Sequence, residues 1–175
     1  MKIETGIPGL TISHNPVVSD TRGTLFPLAF EKNIANLIAV IAEGKEPRGA
    51  HYQRGAEKDI WHISGMGLYY FLDLQDESPT KGKSFACIIG YQEDAIPVSL
   101  RSLPTFFIQK NKATLHIHGY PGIYDLIWPL GTSPLIFVES KTMKYDERDY
   151  MRIPPDTIAE VRQFASLYGL DGVMK

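Results

Sequence analysis

Short apolar runs follow one another along this chain, each closed by Gly, Pro, Asn or Asp. Their β-branched and aromatic content predicts strands over 10–13, 24–30, 36–42, 48–54, 58–64, 67–74, 84–91, 96–100, 104–109, 113–118, 122–128 and 134–140. Within 67–74, Leu68, Tyr70, Leu72 and Leu74 alternate with Tyr69, Phe71 and Asp73. Both faces carry bulk, which predicts a central strand with little solvent on either side. Most prolines fall between the runs, where a missing N–H costs least. The polar stretch 75–83 reads as an exposed hairpin connection. Many short strands with no helix between them argue for a sandwich or barrel over alternating βαβ units.

The period changes only near the C-terminus. Ile158, Val161, Phe164, Ala165 and Tyr168 form one apolar stripe, which predicts a helix at about 157–168. Thr157 and Glu160 have capping-box spacing, Pro154 and Pro155 precede them, and Gly169 is placed as the stop. The expected class is all-β with one C-terminal α-helix packed on the outside.

The 175 residues suit a single domain spanning 1–175, and no internal repeat or linker divides them. A net charge of −2 supplies no strong field for nucleic acid, and the apolar runs are too short for a membrane-spanning helix. The expectation is therefore no nucleic-acid and no membrane partner. No basic-then-apolar leader opens the sequence, and the expected location is cytoplasmic. Cys87 is the lone cysteine and lies in the apolar run Phe85 to Ile89, which reads as core and not as a nucleophile.

Four clusters could carry chemistry. In Arg48-Gly49-Ala50-His51-Tyr52-Gln53, strict alternation sets Arg48, Ala50 and Tyr52 on one face and Gly49, His51 and Gln53 on the other. The Arg48 fork suits a diphosphate and His51 suits general-base work; the plain alternative is an exposed Arg and a half-buried, hydrogen-bonded His. Lys58 lies seven residues after His51, and pairing of two adjacent antiparallel strands would bring them together. A Lys there can stabilise a developing enolate oxygen, or simply belong to a charged hairpin end. His116 and His118 share a strand face and make half of a metal site, but no close carboxylate follows until Asp125, so the expectation is no metal. In 145–150, Tyr145 could act as a general acid and Asp146 or Asp149 could orient a His, or the stretch is a solvated charged loop.

Taken together, these stretches resemble the nucleotide-sugar cupins typified by dTDP-4-dehydrorhamnose 3,5-epimerase. Asp20-Thr21-Arg22-Gly23 is similar to the family's early Asp-x-Arg-Gly. Arg48 to Gln53 is close to its Arg-Gly-Leu-His-Tyr-Gln, and Lys58 through Gly65 resembles its Lys strand. Asp73-Leu74 followed by Ser78-Pro79-Thr80-Lys81-Gly82-Lys83 resembles its hairpin. The likeness runs from about residue 10 to 145. Three features depart from it. The loop between His51 and Lys58 looks about two residues shorter, Ile117 to Gly122 lacks the second pocket His, and Tyr145 to Arg152 looks more like the dTDP-sugar 3,4-ketoisomerases.

The resemblance implies a cupin-type jelly-roll barrel and an isomerase that inverts one or two centres of a nucleotide-linked 4-keto-6-deoxy sugar. In it His51 would be the base, Lys58 the enolate stabiliser and Tyr145 the proton donor, while Arg22 and Arg48 would hold the nucleotide diphosphate. It implies no cofactor, and a homodimer that exchanges N-terminal strands. The Asp partner of His51 stays open between Asp146 and Asp149. Competing readings are 3,4-ketoisomerization of the same substrate class, a non-catalytic nucleotide-sugar-binding cupin, and a metal-dependent cupin built on His116 and His118.

Overall fold

The computed structural model describes residues 2–21, 23–28, 32–91, 95–108, 113–144 and 146–173. The strands are β1 (Lys2–Glu4), β2 (Leu10–Pro16), β3 (Val18–Asp20), β4 (Gly23–Leu25), β5 (Asn36–Ala42), β6 (Arg48–Gln53) and β7 (Lys58–Ser64), then β8 (Gly67–Asp73), β9 (Ser84–Tyr91), β10 (Thr105–Ile108), β11 (Ala113–Gly119), β12 (Ile123–Pro129), β13 (Leu135–Lys141) and β14 (Tyr150–Arg152). One sheet runs β1-β2-β11-β7-β13-β5 and the other β10-β9-β8-β12-β6-β14, while β3 and β4 form a separate hairpin. The β10–β9 pair is parallel and the other pairs are antiparallel. This is a jelly-roll sandwich with one α-helix, α1 (Ala159–Tyr168), at the C-terminus.

Alternation along the strands builds two apolar layers. Ile12, Ile60, Tyr69, Phe71, Leu115, Ile117, Ile127 and Phe137 fill the space between the sheets. The opposite face of the second sheet presents Leu68, Tyr70, Leu72, Tyr124, Leu126 and Trp128 to α1. That second layer explains β8, which is buried at every position and sits inside its sheet, as its two bulky faces predict. Val161 and Ala165 of α1 are fully buried, and the Phe164 ring lies 4.7 Å from that of Tyr70. Burying a valine side chain contributes about 1.5–3 kcal/mol, so this stripe anchors the helix.

The hairpin between β8 and β9 is clamped by one carboxylate. Asp73 is fully buried and accepts hydrogen bonds from the Ser78 and Thr80 hydroxyls and the Gln75 backbone N–H. Burial works against its charge, yet these donors outweigh it and hold the carboxyl below its ordinary range.

Four expectations need correction. The run 96–100 is no strand: Pro97 precedes a 3-10 turn, Val98–Leu100, whose Leu100 tucks into the layer under α1. In 24–30, strand pairing ends at Leu25, and residues 29–31 lie outside the described residues. The helix begins at Ala159, because a 3-10 turn over Pro155–Thr157 comes first. The Thr157 hydroxyl donates to the Pro154 carbonyl at 2.7 Å, so no capping box forms. Gly169 does end the helix, in the left-handed conformation at φ 70°. Lastly β14, in a stretch that could be read as a solvated loop, pairs with β6.

Candidate active site

A bulge in β6 positions the first residues of the site. Opposite β12, the register shifts between Asp125 and Leu126, with Arg48 facing Ile127, Gly49 facing Leu126 and His51 facing Asp125. Ala50 is the extra residue, held at φ 60°, and Gly49 is at φ 93°. A Cβ on Gly49 would come within 2.5 Å of the Asp125 carbonyl oxygen, so only glycine lets the two strands close here. The bulge also breaks strict alternation. Arg48 shares the inward face with His51, contrary to the opposite-face expectation, although its side chain is exposed.

His51 meets Lys58 between the sheets, at 2.9 Å from Nε2 to Nζ. They do not lie on neighbouring strands as expected: β6 and β7 belong to different sheets and face each other across the barrel. The Lys58 ammonium also donates to Asp125 Oδ1, which is 3.9 Å from His51 Nε2. An ammonium can only donate, so His51 Nε2 accepts and the ring proton sits on Nδ1. Burial lowers the His51 pKa, and the Lys58 charge lowers it further against the pull of Asp125. Burial alone would pull Lys58 down too, but Asp125 and Glu139 more than offset it and the pKa is raised. The result is a neutral imidazole in contact with a charged ammonium.

β13 supplies a second ion pair beside the first. Lys141 lies directly opposite Lys58, and Glu139 opposite Ile60, on the inward face. Lys141 Nζ lies 3.0 Å from Glu139 Oε1, with both side chains buried. Burial opposes the Glu139 charge, yet Lys58 and Lys141 outweigh it and lower its pKa. Tyr150 of β14 closes over the cluster. Its ring stacks on His51 with centroids 4.5 Å apart, and Lys141 Nζ lies 5.1 Å from its centroid. Burial is the main cause that raises the Tyr150 pKa and keeps its phenol protonated. Beneath Lys58 and Asp125 the cavity is about 10 Å³, walled by Ile60, Phe71, Ile117 and Ile123. That is room for about one water.

The remaining candidates lie elsewhere. Arg22 and Tyr145 lie outside the described residues. Asp146 is partly exposed and pairs with Arg148 at 2.9 Å, and Asp149 accepts the Gly55 backbone N–H. Neither is in contact with His51; the carboxylate nearest to it is Asp125, which reaches the imidazole through Lys58 and lies 3.9 Å from Nε2, beyond a direct hydrogen bond. His116 and His118 do share a face, but it is the outer face of their sheet. His116 Nε2 and His118 Nδ1 each lie 2.8 Å from the same oxygen of Asp59. Both nitrogens therefore carry protons toward the carboxylate and hold no lone pair toward a common metal. Burial opposes the Asp59 charge, but the two histidine hydrogen bonds win and bring its pKa down to about 2. Among the described residues no group of three or more His, Cys, Asp or Glu is arranged to hold a metal ion. Cys87 is fully buried, and burial pushes its thiol pKa far up, as expected of a core residue.

Asp125, Glu139, Lys141 and Tyr150 escaped the sequence reading. A signal existed for three of them. Asp125 is the one charge in the apolar strand Ile123–Pro129, and Glu139 and Lys141 are two charges at i and i+2 on the apolar strand β13.

No protein-family model matches the chain, and no curated protein matches it in sequence. Solved structures do match in shape. A dTDP sugar isomerase from Desulfovibrio desulfuricans G20 superposes with a TM-score of 0.68 at 11% identity, over 87% of this chain and 88% of that one. A dTDP-6-deoxy-D-glucose-3,5-epimerase from Legionella pneumophila, in complex with dTDP-4-keto-L-rhamnose, gives 0.64 at 18% identity over 87% and 77%. A double mutant of a 3'-monoepimerase from Streptomyces bikiniensis, in complex with dTDP, gives 0.65 at 16% identity over 97% and 91%. Over roughly nine-tenths of its length, then, this chain has the cupin jelly-roll fold of the dTDP-sugar epimerases.

Proposed function

We propose that this chain is an isomerase acting on a nucleotide-linked 4-keto-6-deoxy sugar by proton abstraction next to the ketone. His51 takes the proton from the carbon beside the carbonyl, through the nitrogen that now faces Lys58. The C–H electron pair becomes the new C=C bond, the carbonyl pair moves onto oxygen, and Lys58 holds that oxyanion by a charge-assisted hydrogen bond. Asp125 is the positioning residue that keeps the Lys58 amine charged. A protonated tyrosine returns the proton to carbon: Tyr150 is the phenol at the cluster, and Tyr145 is the donor that the family resemblance implies. Arg48, with Arg22, takes the diphosphate. The carrying observation is the Lys58 ammonium lying between His51 Nε2 and the buried Asp125 carboxylate. It pairs an unprotonated base with a cation that can receive enolate charge, as ketone-assisted proton abstraction requires.

The test is deuterium exchange. The protein is mixed with dTDP-4-keto-6-deoxyglucose in heavy water and the sugar protons are followed by NMR. Wild type should wash out a proton next to the ketone, and His51→Asn should abolish this while leaving dTDP affinity within about twofold, because Asn keeps a polar group but offers no base. Tight dTDP binding with no exchange on any 4-keto sugar would replace the enzyme reading with a nucleotide-sugar-binding cupin.

A further inference from the structure

We propose that Lys58 and Lys141 form a two-oxygen clamp, so that the site acts on the hydroxyl-bearing carbon beside the ketone and stabilises an enediolate. This rests on the proposed function and goes further, because it names the carbon attacked and the group that distinguishes it.

The two lysines are directly opposite each other on β7 and β13 and both point inward. Directly opposed Cβ atoms lie only about 4.5–5.5 Å apart, so the two ammonium groups can reach oxygens on neighbouring carbons. Each side chain is 8% exposed, and each has its own carboxylate, Asp125 for Lys58 and Glu139 for Lys141. Two buried like charges side by side are a poor stabilising device, since apolar residues commonly serve the core at least as well as buried ion pairs. His51 and Tyr150 border the same spot, with the Tyr150 ring against His51 on one side and near Lys141 on the other.

The chemistry of the substrate distinguishes its two acidic positions. In a 4-keto-6-deoxy sugar, C5 carries the methyl group and the ring oxygen. Its enolate spreads charge onto one free oxygen, O4, for which one lysine suffices. C3 carries a hydroxyl. When His51 removes the C3 proton, the C–H pair forms the C3=C4 bond, the C4 carbonyl pair moves onto O4, and O3 and O4 become neighbours on the double bond. Lys58 then holds O4 and Lys141 holds O3. Protonation at C3 from the other face inverts that centre. Protonation at C4, with the O3 proton lost and the carbonyl re-formed at C3, moves the ketone; neither course needs an oxidant or reductant.

The experiment extends the exchange measurement to two sugars, dTDP-4-keto-6-deoxyglucose and its analogue lacking the C3 hydroxyl, and to two variants, Lys141→Met and Glu139→Gln/Lys141→Met. The double variant removes both charges of the pair, so no carboxylate is stranded in the core. Wild type should exchange C3 and leave C5 untouched, and should exchange C3 of the hydroxy-ketone faster than C3 of the analogue. Lys141→Met should slow the hydroxy-ketone by about tenfold or more, the usual scale for losing one oxyanion donor, while the analogue changes by less than about twofold; the double variant, which also removes a charge that supports the Lys58 ammonium, should still lose more on the hydroxy-ketone than on the analogue. Wild-type exchange at C5 alone, or equal rates on the two sugars, would overturn the clamp and leave the isomerase reading standing. Equal losses on both sugars in the variants would make Lys141 a structural residue. Absence of exchange at either carbon would remove the proposed function and the clamp with it. The wild-type comparison needs no variant to fold.

Discussion

Gly49 and His62 show how much single residues decide here. Gly49 is needed because strand β12 leaves no room for a Cβ, and the bulge it permits turns His51 onto Asp125. His62 sits fully buried on β7, its Nε2 3.0 Å from the Gly65 carbonyl and its Nδ1 2.9 Å from the Tyr69 hydroxyl. A carbonyl can only accept, so Nε2 carries the proton and Nδ1 accepts from Tyr69. Burial is the dominant cause, and it lowers the His62 pKa from 6.5 to about 4. Between those values the unfolded chain binds a proton that the folded chain refuses. Stability is thus full above about pH 6.5 and falls as the pH drops toward about 4, by an amount on the order of 3 kcal/mol. Urea unfolding at a series of pH values should show that decline, and His62→Gln should flatten it. An unchanged slope in the variant would mean that another group carries the acid sensitivity.

At the scale of elements, most strands could be read from residue pattern alone, and the reasons differ for those that could not. Strands β5, β7 and β9 appear at the expected bounds; the buried positions of β7 and β9 follow the demand of the core, whereas β5 is read from its run of apolar residues although most of them stay exposed. β14 is three residues, Tyr-Met-Arg, too short for a pattern, and it exists through its pairing with β6. The smaller part of the site was therefore legible: Asp125 was not singled out although it stands in a strand that was expected. His51 and Lys58 stand in a recognisable motif, whereas Glu139, Lys141 and Tyr150 join them only when β13 and β14 are placed. The Asp73 hairpin makes the converse point, since one of the specific stretches of the family resemblance is a structural clamp. Asp73→Ala strands the Ser78 and Thr80 hydroxyls and the Gln75 N–H, and should cost about 2–4 kcal/mol. Differential scanning calorimetry should record the lower Tm, with exchange per folded molecule unchanged. A selective loss of exchange at full stability would place the hairpin in the reaction instead.

On the whole-molecule scale, the two sheets divide the labour between inside and outside. The inner layer and the layer under α1 take up most of the bulky residues, while β5 carries three of the exposed ones on a single strand. It is the last strand of its sheet, and Leu37, Ile38 and Ile41 are exposed along it. An apolar edge strand is a template for pairing with another chain. A second copy is the expected occupant, in keeping with the homodimer that the family resemblance implies. Light scattering should give a mass twice the 19.6 kDa of one chain, and Ile41→Lys should return it to one without lowering Tm by more than a few degrees. A wild-type mass of one chain would set the dimer aside. No described helix is long and apolar enough to cross a membrane.

The hydrogen bond from Lys58 to His51 has a consequence for which sugars are left alone. At rest, the lone pair on His51 Nε2 is occupied by the same ammonium that the reaction needs elsewhere. Under the proposed function, only a ligand that offers Lys58 a better acceptor, a carbonyl oxygen gathering charge, draws that ammonium away and frees the base. A nucleotide sugar bearing a hydroxyl at the same carbon offers no such pull, and it meets an engaged imidazole. On that proposal the site carries its own safeguard against bystander molecules, because the chemical handle that makes a proton removable is also the handle that unlocks its remover.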